Sequence, residues 1–252
     1  ALKMMRAVPN PAARRKINLR SLASGGESLG PELLQWGHET FGRTINEFYG
    51  QTECNMVLSS CERLFAVRPG AIGKTAPGHD VQIVNDAGAI LPRGELGNIA
   101  VRAPDPVMFL GYWNQPEATR EKFAGEFLIT GDTGTMNKDG YVTFVGRKDD
   151  VITSAGYRIG PGPIEDCLLG HPAVRMAAVV GAPDPERTEI VRAWIALNEG
   201  IAASDALTRA LQDHVRTRLA AHEYPRQVLY VDSLPLTTSG KVIRRELRAW
   251  KD

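Results

Sequence analysis

Cysteine is scarce in this chain, and what there is does not pair. The three thiols, Cys54, Cys61 and Cys167, form no CxxC motif and have no histidine at metal-ligand spacing, so a zinc site is not expected; their odd number argues against a disulfide framework. A reducing, cytoplasmic setting with buried thiols is the expectation. Long apolar runs are missing too. None approaches the ~18 residues needed to span a bilayer, and the opening residues do not read as a signal peptide. Charge imbalance is also absent: 30 Lys and Arg against 29 Asp and Glu leave a formal net charge of +1. Bulk binding to nucleic acid or to a membrane surface therefore has no electrostatic footing, and any anion site must be local. The five histidines, His38, His79, His171, His214 and His222, show neither an HExxH pattern nor triad-like spacing.

What is present is an ordinary globular composition. The 252 residues, 43% hydrophobic and 23% charged, suffice for one large or two ordinary domains with a buried core. Leu2, Met5 and Val8 suit a short helix that Pro9-Asn10-Pro11 stops, and residues 19–23 read as a buried strand. Ser24-Gly25-Gly26-Glu27 follows, two glycines at a strand end where the backbone can approach a ligand. A helix is expected over 31–41, then a strand over 44–48 that delivers Tyr49-Gly50-Gln51-Thr52-Glu53 at its end, where open α/β sheets bind ligands. Tyr49 offers a flat face for a base, Thr52 a hydroxyl for a phosphate oxygen, and Glu53 a hard carboxylate oxygen for Mg²⁺.

From about residue 67 to 145 the pattern is all-β. Segments 80–84, 96–102 and 141–145 alternate apolar with polar, and Asn85-Asp86-Ala87-Gly88 and Asn137-Lys138-Asp139-Gly140 supply turns. One short helix interrupts, with Asn114 as N-cap, Pro116 in the first turn and Phe123 facing inward. Asp132, after a short apolar strand, taken alone reads as a turn aspartate. The segment Gly146-Arg147-Lys148-Asp149-Asp150, followed by Gly156-Tyr157-Arg158-Ile159, divides this region from one in which helix and strand recur: helix 163–169, strands 174–180 and 190–197, an amphipathic helix 204–221 capped by Ser204, and strand 227–231. The chain closes on Ser239-Gly240-Lys241 and a basic helix carrying Arg244, Arg245 and Arg248.

Five motifs in this order, Gly25-Gly26-Glu27, Tyr49-Gly50-Gln51-Thr52-Glu53, Thr130-Gly131-Asp132, Gly146-Arg147-Lys148-Asp149-Asp150 and Ser239-Gly240-Lys241, resemble those of the acyl-adenylate-forming enzymes. Within that superfamily the chain is most similar to medium-chain acyl-CoA synthetases, over essentially its whole length. The resemblance implies a fold class of α/β and β in a partial N-terminal domain, a sheet segment plus a distorted β-barrel, followed by a small α+β C-terminal domain. The expected division is 1–147, comprising an α/β segment 1–66 and a barrel-like part 67–147, and a mobile 148–252. It implies ATP, Mg²⁺ and coenzyme A as cofactor and substrates, with a small carboxylic acid as partner. Gly25, Gly26, Glu27, Glu47, Tyr49, Gln51 and Thr52 would line the nucleotide site, Asp132 and Arg147 would hold the ribose hydroxyls, and Glu53 would meet the metal. Lys241 would be the catalytic lysine, with Thr52 and Glu53 beside it; Asp149 would be the hinge, and Gly156 and Arg158 would meet coenzyme A. Gly50, where acetate-restricted members carry tryptophan, would open the acyl pocket to medium-chain or aryl acids.

The sequence departs from the family by an absence. Relatives are about twice as long, and nothing in residues 1–24 resembles the Ser/Thr/Gly-rich phosphate loop. The expectation is a fragment with little activity alone, completed by an N-terminal segment or working as a homo-oligomer. An adenylation domain feeding a carrier protein, and a non-catalytic nucleotide-binding remnant, are the alternatives.

Overall fold

The computed structural model describes residues 2–6, 8, 11, 18–26, 29–238 and 240–250; Glu27 and Ser239 fall outside them. The chain divides into two compact units, Ala1–Phe144 and Val145–Asp252, built on three sheets in a mixed α/β arrangement.

The first unit opens with helix α1 (Leu2–Arg6), strand β1 (Leu22–Gly25), helix α2 (Pro31–Phe41) and strand β2 (Ile45–Gln51). Strands β1 and β2 run parallel, and α2 is the crossover between them. Helix α2 begins where Pro31 supplies a preset φ at its first position and ends on Gly42, whose φ of +61° makes a left-handed cap with its amide on the His38 carbonyl. Leu33 and Leu34 bury one face against Ile45 and Leu29. Strand β1 starts three residues later than the apolar pattern suggests, and β2 runs through the Tyr-Gly-Gln segment instead of ending before it. Strands β3 (Asn55–Ser59) and β4 (Lys74–Thr75) extend this sheet antiparallel, in the order β1-β2-β3-β4.

A second, curled sheet follows: β5 (Val81–Val84), β6 (Gly97–Arg102), helix α3 (Pro116–Glu121), β7 (Phe123–Ala124), β8 (Phe127–Met136) and β9 (Val142–Arg147). Its order is β5-β6-β8-β7, with β9, which crosses into the second unit after Phe144, also paired to β8. The two sheets close on a shared core that includes Cys54, Val57, Leu58, Ile83, Ile99, Leu128 and Val142. Helix α3 is capped at Gln115; Asn114, expected there, instead takes a left-handed φ of +53°, a conformation asparagine tolerates better than most residues.

The second unit begins with a short 3₁₀ turn (Lys148–Asp150) and a tight hairpin of β10 (Ile152–Ser154) and β11 (Tyr157–Ile159). Helix α4 (Pro161–Leu169), strands β12 (Val174–Asp184) and β13 (Thr188–Leu197), helix α5 (Asp205–Arg216), strand β14 (Gln227–Tyr230) and helix α6 (Arg244–Ala249) complete it. Its sheet order is β11-β10-β13-β12, with β14 parallel to β13. Ser204 caps α5 through a bond from the Leu207 amide, and Leu211 and Val215 bury one face of that helix against Ile164, Leu168, Val179 and Ile195. Each such side chain contributes about 1.5–3 kcal/mol on burial, so this unit carries a core of its own.

Candidate active site

The first site element is the hairpin of β2 and β3. Thr52, Glu53 and Cys54 form its three-residue loop, closed by a bond from the Cys54 amide to the Gln51 carbonyl and by Asn55 at φ +57°. Between Tyr49 and Gly50 the pairing shifts register, a bulge of the kind that redirects side chains beside active sites. That shift explains Gly50. A Cβ there would overlap the Asn55 carbonyl and lie 2.9 Å from the Met56 Cα. Glycine is therefore demanded by the approach of two backbones, whereas the pocket-opening expectation rested on side-chain volume alone.

The second element is a bulge in β8. Asn98 faces Thr133 and Ala100 faces Ile129, so Ile99 stands opposite three residues, Thr130, Gly131 and Asp132. Gly131 takes φ +84°, and the Thr130 hydroxyl donates to the Ile99 carbonyl at 2.7 Å. Asp132 therefore sits within a ten-residue strand, and the reading of it as a turn residue fails. The distortion brings its carboxylate to the first sheet, where the Tyr49 hydroxyl donates to Asp132 Oδ2 at 2.7 Å. Gln51 Nε2 donates to the Thr130 carbonyl at 3.1 Å and fastens the same two strands. Burial, reinforced by the Asp132 charge and hydrogen bond, pushes the Tyr49 phenol well above its usual range, so it remains a donor at neutral pH. Burial also raises the Cys54 thiol to about 11, which leaves it unreactive.

Glu53 is held by a residue that the sequence did not single out. Tyr112 donates its hydroxyl to Glu53 Oε1 at 2.5 Å, and the Phe109 amide donates to the Glu53 carbonyl at 2.8 Å. The loop bearing both is tied down by Asp105, whose carboxylate pairs with His79 Nδ1 at 2.6 Å and accepts from the Val107 amide. The hydrogen bond to Glu53 pushes the Tyr112 phenol up to about 12. Gly111, just before Tyr112, takes φ +143°.

Glu47, expected to line the nucleotide site, is 5% exposed, and its Oε1 accepts the Leu29 amide at 2.8 Å. It anchors Leu29 at the start of the described segment that leads into α2. Gly25 packs flat on Phe48, where any side chain would overlap the ring, and Gly26 takes φ +90°. Thr52 is exposed at the hairpin tip.

In the second unit Arg147 ends β9, with Asp149 inside the 3₁₀ turn, both exposed. Ala155 and Gly156, at φ +49° and +85°, make the two-residue turn between β10 and β11; this is the mirror-type turn that favours glycine, and a Cβ on Gly156 would meet only open space. Arg158 follows on β11, exposed and opposite Thr153. Lys241 closes a tight loop in which Thr237 accepts the Lys241 amide on its hydroxyl at 3.0 Å and donates its own amide to the Lys241 carbonyl at 2.8 Å. Its side chain stands exposed.

Comparison with known proteins places this geometry in a family. Residues 1–113 match the AMP-binding enzyme model and residues 163–241 the AMP-binding enzyme C-terminal domain. The human mitochondrial acyl-coenzyme A synthetase ACSM5 is 46% identical over 92% of this chain and 41% of its own length. The acetyl-coenzyme A synthetase of Bacillus subtilis is 41% identical over 93% of this chain and again 41% of its own. The crystal structure of the anthranilate CoA ligase AuaEII with anthranoyl-AMP superposes with a TM-score of 0.88 at 34% identity, covering 98% of this chain and 48% of that one. The chain thus spans less than half the length of each of these three proteins. It belongs to the AMP-binding enzyme superfamily, whose C-terminal domain it carries.

Proposed function

We propose that these residues serve an acyl-CoA synthetase in which ATP activates a medium-chain or aryl carboxylic acid as its adenylate, and coenzyme A then takes the acyl group. The observation that carries this reading is the Tyr49–Asp132 hydrogen bond, which joins motif residues 83 positions apart beside the hairpin that bears Glu53. A carboxylate held by a phenol that stays protonated is a fixed acceptor, suited to the two hydroxyls of a ribose. Arg147 is the proposed cationic partner on that sugar. The names of the relatives support acyl transfer to coenzyme A but span acetyl, medium-chain-type and anthranilate enzymes, so the acyl class rests on the sequence alone.

Glu53 is the residue that would hold Mg²⁺. Magnesium commonly uses one or two protein carboxylates and completes its shell with substrate phosphates and water, so one carboxylate steadied by Tyr112 fits an ion delivered with ATP. No cluster of three or more His, Cys, Asp or Glu suited to a metal occurs among the described residues. Bound there, the ion would neutralise phosphate charge. In the first step a carboxylate oxygen attacks the α-phosphorus, the bond to the β-phosphate oxygen breaks and pyrophosphate leaves; the Lys241 ammonium would stabilise charge on the reacting oxygens, a contact worth about 10²- to 10³-fold in rate. In the second step the thiol sulfur attacks the acyl carbon, loses its proton, and AMP departs. Asp149 is the proposed hinge between the two steps. The open Gly156 turn is the proposed approach for the thiol arm, with Arg158 beside it for phosphate.

The chain spans 41% of the length of its two curated relatives above, and turnover is proposed to need an N-terminal complement. None of the three cysteines is in a disulfide, which suits a reducing compartment such as the cytoplasm, and among the described residues no helix is long and apolar enough to cross a membrane. Calorimetry of the 252-residue chain with AMP should give saturable heat that Asp132→Ala abolishes, and assays with octanoate, benzoate and acetate should give little thioester. Absence of AMP binding would refute the ribose site, and robust acyl-CoA formation would refute the need for a complement.

A further inference from the structure

The turn that holds the proposed hinge is bolted to the far end of its own unit by four charged side chains. Arg248, on α6, donates from Nη2 to the Asp149 carbonyl at 2.7 Å and to Asp150 Oδ1 at 2.6 Å. Arg244, one helical turn earlier, reaches Asp150 Oδ2 at 3.7 Å and grips both oxygens of Glu165 at 2.8 and 2.6 Å. Glu165 in turn accepts the Val179 amide at 2.8 Å, so α4, β12, α6 and the turn meet in one network. The side chain of Asp150 is 14% exposed and that of Glu165 13%, so these charge-assisted bonds are partly shielded from solvent and stronger than surface pairs.

The same helix carries the mechanical link to Lys241. Leu247 is buried among Ala178, Val180, Trp194 and Leu234. The Ile243 amide donates to the Pro235 carbonyl at 2.9 Å, and Val242 bridges Leu236. Those rungs lead directly into the Thr237–Lys241 loop. From the Asp149 carbonyl to Lys241 there is thus a continuous path of short bonds.

We propose that Arg248 is a positioning residue that clamps the Asp149–Asp150 peptide to the C-terminal unit, confining any swivel to the Asp149 φ and ψ bonds just before it and keeping Lys241 in fixed register with the hinge. The reason is geometric. Holding the Asp149 carbonyl fixes the plane of the peptide that follows it, which removes Asp150 φ and the later torsions of the turn from the motion; the two soft torsions Asp149 φ and ψ remain before it. The turn's own bond, from the Val151 amide to the Arg147 carbonyl at 3.1 Å, spans those two torsions and must open when they rotate. The Val151 amide therefore reports on the clamp.

This inference rests on the hinge reading of Asp149, and the experiment separates the two. Amide hydrogen exchange is measured on the 252-residue chain, on Arg248→Ala and on Arg248→Lys. Arg248→Ala should speed exchange at Val151 by about 10- to 100-fold, the factor that loss of a charge-assisted bond implies, while the amides of β12 and β13 stay unchanged. Arg248→Lys should recover part of that protection, because an ammonium can reach one acceptor but lacks the two-pronged geometry. Unchanged exchange at Val151, or an equal rise throughout β12 and β13, would overturn the clamp. Spin labels on exposed Gln35 and Arg209 of the same chain test the hinge separately: a single narrow distance would sink the hinge reading without touching the exchange result.

Discussion

Replacing Tyr49 with phenylalanine deletes one oxygen and leaves the ring in the core. The hydroxyl donates to Asp132 at 2.7 Å across the gap between the two sheets of the first unit. A hydrogen bond to a charged group contributes about 1.5–3 kcal/mol, and partial exposure brings the expected loss to about 1–2 kcal/mol. At roughly 2–4 °C per kcal/mol for a unit of this size, its melting transition should fall by about 2–8 °C. Scanning calorimetry should show that change in the first unit's transition alone, because the two units have separate cores. AMP affinity should weaken about tenfold, since Asp132 would lose the group that orients it. A cycle with Asp132→Asn isolates the pair. If the bond acts as described, the two substitutions are non-additive by about 1 kcal/mol. Additive effects within about 0.3 kcal/mol, with unchanged AMP binding in Tyr49→Phe, would refute the reasoning.

Two further outcomes follow from the same geometry. Gly50→Ala should destabilise the first unit by about 1–3 kcal/mol, because its Cβ must displace the Asn55 backbone; urea unfolding that matches the unchanged protein would show that the bulge yields freely. Raising the pH should leave the first unit unaffected by its tyrosines up to about 10, the unfolded phenol value, and then weaken it. Folded Tyr49 and Tyr112 hold their protons more tightly than the unfolded chain does, so the stability they lend is complete below that pH and is lost as it rises toward about 12 at Tyr112. Tyrosinate absorbance in Tyr112→Phe should lose the component that titrates near 12.

Local chemistry was legible where one residue type decides one torsion or one bond. Pro31 and Gly42 bound α2, and Ser204 caps α5, because a fixed φ, a left-handed φ and a hydroxyl acceptor act within a few residues. The long strand β8 was hidden for the opposite reason. Thr130-Gly131-Asp132 has the composition of a turn, and only pairing with β6 on one side absorbs the three residues as a bulge. The demand on Gly50 is non-local in the same way, since the carbonyl that a side chain there would meet belongs to Asn55 on the returning strand. Tyr112 gave no signal at all: its partner Glu53 is 59 residues away, and nothing in either local pattern predicts that a loop fastened by Asp105 and His79 will bring them together.

Three carboxylates that look alike in sequence show how surroundings divide the labour. Glu47, Glu53 and Asp132 all lie within or beside the motif segments, and the resemblance drew all three toward the nucleotide. Glu47 is buried and meets the Leu29 backbone amide, an arrangement that suits a residue acting through its neighbours. Glu53 and Asp132 meet phenols instead. A phenol bond occupies one of about four acceptor sites on a carboxylate, so it aims the group without exhausting its capacity. Both phenols titrate far above neutrality, which keeps that aim constant over the physiological range. Two acids aimed from the two sheets of the first unit suit the ribose and phosphate-bound cation proposed above, and it is the pairing of each acid with a phenol that sets them apart from ordinary strand-end carboxylates.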